Sequence, residues 1–213
     1  GGGGPPPPLD GSDEPSQGAK DVSHALCRAA AGGHSQVVAA LLRVGARVDG
    51  VENRLNRDAV PLARAAGGGH LQVMAMLLAA GASVDASDVR RRATPLLAAA
   101  AAGRTEAASM LLRCGAAPRA RDVNRWCALF HAVHAGSEAL VETFVSLGQH
   151  RTDRWSRTPL CWACAGGHVR IARRLLAAGA CADGGDAPQR ARLERGSTEW
   201  APPLTIAIRS GSL

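Results

Sequence analysis

TPLCWACAGGHVRIARRLLAAGA, residues 158–180, decides the fold of this chain. Thr158 puts a hydroxyl where a helix needs a cap, and Pro159 follows at the first helical position, where a missing N–H costs nothing. Leu160, Ala163 and Cys164 then share one face of a short helix. Gly166 and Gly167 permit a tight turn. Ile171, Ala172, Leu175 and Leu176 form the apolar stripe of a second helix, and Gly179 supplies a left-handed stop. The stretch predicts two short antiparallel helices.

The same register recurs outward along the chain. With Leu160 as offset zero, the equivalent residues are Leu26, Leu62, Leu96, Leu129 and Leu204, a period of about 33 residues set by their spacing. Offset seven is Gly33, Gly69, Gly103, Gly136, Gly167 and Gly211, and offset nineteen is Gly45, Gly81, Gly115, Gly148 and Gly179. Leu41-Leu42, Leu77-Leu78, Leu111-Leu112 and Phe144-Val145 repeat the apolar pair of the second helix. The small residues Ala29-Ala30, Ala65-Ala66 and Ala99-Ala100 let neighbouring helices approach closely. Only 3% of residues are aromatic and none is Tyr, so the core is built from Ala, Leu and Val.

This frame resembles the ankyrin repeat family, whose pattern T-P-L-H-x-A-A-x-x-G-H-x-x-V-V-x-x-L-L-x-x-G-A is visible in residues 158–180, 60–82 and 24–46. The resemblance implies an all-α solenoid of helix-turn-helix repeats, five full and a truncated sixth, near residues 21–50, 58–87, 92–121, 125–153, 156–183 and 200–213. The chain departs from the pattern at offset one, where the family has His and this sequence has Cys27, Ala63, Leu97, Phe130, Cys161 and Thr205. An altered hydrogen-bond network at the helix starts is expected. Repeat four is the most divergent, with Cys127-Ala128 in place of Thr-Pro.

Residues 1–20 hold Gly, Pro, Ser and acid with almost nothing apolar, and are expected to be disordered. The stretch 184–201 is an insertion of about eleven residues relative to the repeat period and is expected to add a contact loop on the finger side of the stack. The chain lacks an initiator Met and stops inside its sixth repeat, without the polar cap a solenoid needs, so it is expected to be part of a longer protein. No apolar run is long enough to span a bilayer. Six Cys at ordinary helix positions, without an apparent secretory signal, point to reduced thiols in the cytoplasm, and also in the nucleus.

Several groups invite a chemical reading. Cys161 and Cys164 with His168 could bind zinc or do redox work, but the frame places them at packing and turn positions, and a fourth ligand is missing. Gly67, Gly68 and Gly69 form an inter-helix turn rather than a phosphate loop, since no strand precedes them and no Lys follows. No paired carboxylates or Ser-His-Asp set can be argued, the acids reading as solvated loop residues. The expectation is a non-enzyme with no cofactor and no metal.

The resemblance implies instead a cupped stack that binds another protein with its loop tips and first helices. Three of the four Trp fall in exposed, variable slots: Trp126 at offset minus three, Trp155 at minus five and Trp162 at two. Together with His131, His134 and Arg157 they make the candidate partner-binding patch, because exposed aromatics beside Arg anchor interfaces. The expected role is a protein-interaction scaffold or adaptor, acting as a monomer. Two other readings stand beside it: the substrate-receptor part of a ubiquitin-ligase adaptor, and a basic nucleic-acid binder. The net charge of +7 rests on 25 basic and 18 acidic residues. That is a diluted version of the stripe nucleic-acid binding requires.

Overall fold

A computed structural model of the chain describes residues 17–49, 60–88, 90–147, 152–153 and 157–180. It is all-helical among these residues. Five helix pairs follow one another: α1 (Gln17–Ala31) with α2 (Ser35–Arg43), α3 (Pro61–Gly68) with α4 (Leu71–Ala79), α5 (Pro95–Ala101) with α6 (Thr105–Arg113), α7 (Ala128–His134) with α8 (Glu138–Ser146), and α9 (Pro159–Ala165) with α10 (Val169–Ala177). The sixth repeat, the insertion at 184–201 and residues 1–16 lie outside the described residues. Helix α1 reaches back to Gln17, four residues into the segment expected to be disordered. Once the apolar face from Leu26 to Ala30 is packed, extending a helix backward adds a bond per residue without a new nucleus.

Two layers result. The first helices pack side by side in chain order, and the second helices form a row behind them. Ala30, Ala65, Ala66, Ala99, Ala100 and Ala132 are fully buried at the first-helix contacts, where larger side chains would hold the helices apart. Phe130 and Phe144, assigned to the core by their offsets, are both 0% exposed. The residues at offset one settle the altered network. Cys27, Leu97, Phe130 and Cys161 are all buried apolar packing groups, while Thr94 and Thr158 still cap their helices by accepting from Leu97 N and Cys161 N, each at 3.4 Å. The His of the family pattern is thus replaced by core, and the threonine cap is kept.

At offset eight, side chains cross from one repeat to the next. His70 Nε2 lies 3.0 Å from Ala31 O, and Arg104 Nε donates to Gly67 O at 3.4 Å in the same manner. On the outer row, Arg170 pairs with Glu138 and Arg174 with Glu142, both across the α8–α10 junction. These exposed pairs add little individually.

The loops between repeats turn on an aspartate. Asp88, Asp122 and Asp153 each accept from the backbone N–H four residues on, at Arg92, Trp126 and Arg157. Neighbouring tips are tied together, Val123 N donating to Arg91 O at 3.0 Å. Two tips force an arginine into the left-handed region, Arg92 at φ 54° and Arg125 at φ 62°. An L side chain there is strained by about 1 kcal/mol. Arg125 is exposed, so Arg125→Gly relieves the strain at little other cost. Its urea midpoint is expected to rise by the equivalent of roughly 0.5–1 kcal/mol, less than the full strain because Gly also frees the unfolded chain. An unchanged or lower midpoint would show that the tip is not strained.

Candidate functional site

The site forms where the tips before repeats four and five meet the first helices α7 and α9. Trp126 closes one tip and its ring stacks on Phe130 at a centroid distance of 6.0 Å and an interplanar angle of 20°. The frame puts Trp126 three residues before Leu129 and Trp162 two after Leu160, so the first comes down from a tip while the second rises from a helix. Their rings meet edge to face at 4.8 Å and 71°. His134, exposed at the end of α7, contacts both rings, at 5.6 Å from Trp126 and 6.0 Å from Trp162. His131 lies against Trp126 at 5.3 Å. The Arg157 guanidinium sits 4.9 Å over the Trp162 ring, a cation–π contact.

Five of the six residues singled out from the sequence therefore share one cluster: Trp126, His131, His134, Arg157 and Trp162. Trp155 lies outside the described residues. Trp126 and Trp162 are half-buried, so part of each side chain stays open to solvent.

Two residues missed by sequence reasoning hold the cluster in place, Asp122 and Asp153. Asp153, with its side chain fully buried, accepts from Arg157 N at 2.8 Å and from Trp162 Nε1 at 3.2 Å, and its second oxygen also meets Arg157 Nε at 3.5 Å. Asp122 repeats the arrangement one repeat earlier. It accepts from Asn124 N at 2.8 Å and Trp126 N at 2.9 Å, while its other oxygen lies 3.3 Å from His131 Nε2, in ion-pair range once that ring is protonated. Burial works against the Asp122 charge. The His131 contact and the two backbone N–H donors outweigh it and hold the carboxyl below its ordinary value. Each Asp stands nine residues before the groove side chain it positions, His131 or Trp162. That spacing was the available signal.

The Trp126 indole N–H is buried without a hydrogen-bond acceptor among the described residues. Its ring is placed by packing and ring contacts, with only its backbone held by Asp122, whereas the Trp162 ring is itself anchored through Asp153. The thiols tell a different story. Cys161 is buried, and burial, with the neighbouring Cys161 charge, pushes the Cys164 thiol up. That is opposite to the low value a reactive thiolate needs. His168 stands at the start of α10, and its ring lies near Gly136 of the preceding repeat. Among the described residues no helix is long and apolar enough to cross a membrane.

Residues 62–112 and 129–176 match the family model described as ankyrin repeats (many copies). No curated protein matches the chain.

Proposed function

Taking the chain as an ankyrin repeat protein, as those two matched stretches show, we propose that it is an interaction scaffold or adaptor that binds another protein through its concave face and loop tips. Repeats of this family generally mediate protein–protein contacts. The observation that carries it is the edge-to-face pair of Trp126 and Trp162 with His134 against both rings. Large aromatics left half-open beside an arginine are the side chains that carry most binding energy at interfaces. Trp162 is fixed by the buried Asp153 and Trp126 stacks on the buried Phe130, so the cluster is held before a partner arrives and little ordering entropy is lost on binding. Trp155 belongs to the same proposed patch by its slot in the frame.

The test compares what the wild-type chain and two variants retain in a quantitative pull-down. Trp162→Ala removes an anchor, and His134→Ala removes an exposed side chain whose loss leaves the core untouched. Partners held by the wild type are expected to fall at least tenfold with Trp162→Ala, about 1.4 kcal/mol of binding, and measurably with His134→Ala. Circular dichroism must show the helical content retained in both. Equal capture by all three proteins would refute the patch.

A further inference from the structure

The concave face is chemically divided along its length. At offset two, the first helices present Arg28, Arg64, Ala98, His131 and Trp162 in that order. The first two are exposed cations and the last two belong to the aromatic cluster. A groove pocket of about 280 Å³ lies between them, floored by Ala63 and Ala98 and walled by Arg64 and by Arg91 from the loop tip. No carboxylate among the described residues comes within ion-pair distance of Arg28, Arg64 or Arg91. Asp88 also lines the pocket, its Oδ1 turned back to accept from the backbone N–H groups of Arg91 and Arg92. Among the described residues the Arg charges stand without a paired carboxylate, over a floor of methyl groups too small to fill the groove.

From this division we infer that the partner is a peptide segment of defined polarity, with carboxylates over Arg28, Arg64 and Arg91 and an apolar or aromatic side chain on Trp126 and Trp162. The inference rests on the partner-binding reading above and adds the chemistry of what is bound. Guanidinium groups in a walled groove match carboxylates by paired hydrogen bonds as well as by charge. Half-open indole faces match apolar and aromatic groups. Adjacent packed helices lie about 8–10 Å apart, so Arg64 and Trp162, three helices apart, are separated by roughly 24–30 Å. An extended chain covers that distance in about eight residues. His131 and Asp122 stand between the two halves, with His131 Nε2 3.3 Å from the second Asp122 oxygen.

The probe is a library of random 16-residue peptides displayed on phage, selected against the full chain at 0.15 M salt, where exposed charges act over about 8 Å. Enriched peptides are expected to carry more Asp and Glu than the unselected library, with an apolar or aromatic residue about eight positions away. A synthetic peptide of the enriched sequence is expected to bind at least tenfold more weakly to Arg64→Glu/Arg91→Glu, and separately to Trp162→Ala. Both arginines are exposed, so the charge reversal leaves the fold intact, which circular dichroism verifies. Peptides that depend on Trp162 but show no acidic enrichment, or that ignore the charge reversal, overturn this inference and leave the aromatic patch standing. Failure to enrich any peptide, with salt-sensitive binding of a mixed-sequence RNA oligonucleotide instead, overturns both.

Discussion

Asp153→Ala is expected to destabilise the C-terminal half of the stack by about 2–4 kcal/mol and to disorder the aromatic cluster with it. The carboxylate is fully buried and meets three donors: Arg157 N, Trp162 Nε1 and Arg157 Nε. Deleting an acceptor strands buried donors at about 1–3 kcal/mol each. The guanidinium is the exception, since the Arg157 side chain is 37% exposed and can turn to water, so its share is small. The turn N–H remains at the full cost and the indole N–H of half-buried Trp162 at the low end of that range, about 1 kcal/mol, and together they set the estimate. Asp153→Asn keeps one acceptor oxygen, and its cost is expected to be about half. Urea unfolding followed by tryptophan fluorescence reads this directly, because Trp162 is hydrogen-bonded to the deleted group. A cost below 1 kcal/mol would mean that the tip and α9 hold their places without the carboxylate. The effect should also separate from that of Trp162→Ala. The tryptophan change removes the anchor alone, while the aspartate change frees the tip carrying Arg157 and leaves the indole without its acceptor.

The contrast between these two residues shows what the sequence makes legible. Trp162 could be found because a helical register assigns every offset a face, and a large aromatic at a solvent-facing offset is conspicuous. Asp153 sits in a polar loop where an acid has a ready explanation in hydration. Its function depends on the tip folding back over the helix, a contact that no helical period encodes. The same reasoning covers His70 and Arg104. Both occupy the turn slot after a glycine, yet their acceptors, Ala31 O and Gly67 O, lie in the preceding repeat. Local chemistry, such as the Thr158 cap or the glycines at helix ends, could be read in full. Contacts between a tip and a helix, or between successive repeats, required coordinates. The offset-one residues lie between these cases: the absence of His was visible, and its meaning as buried packing became clear only when Leu97, Phe130 and Cys161 were seen in the core.

Gly33→Ala is expected to cost about 1.5–3.5 kcal/mol, and Gly103→Ala, at the same offset two repeats on, only about 1–2 kcal/mol. Both glycines are left-handed, at φ 72° and 67°, so an alanine pays the same backbone strain of about 1–2 kcal/mol at either site. Their surroundings differ. A Cβ on Gly33 would stand 2.5 Å from His70 Nδ1 and 2.7 Å from its Cε1, whereas at Gly103 the nearest atom, Ser137 Cβ, is 3.9 Å away. The His70 ring must therefore move aside and surrender its contact with Ala31 O, worth about 0.5–1.5 kcal/mol. Because Gly33 lies in the first helix pair, the penalty can be met by fraying of that end rather than by global unfolding. Native-state hydrogen exchange on the α1 and α2 amides captures it in either case. The pairing is confirmed by a second substitution. In a His70→Ala background the clash is gone, and Gly33→Ala should cost no more than Gly103→Ala. If Gly33→Ala is equally costly with and without the His70 ring, the glycine serves backbone conformation alone, and the junction between the first two repeats does not depend on that close approach.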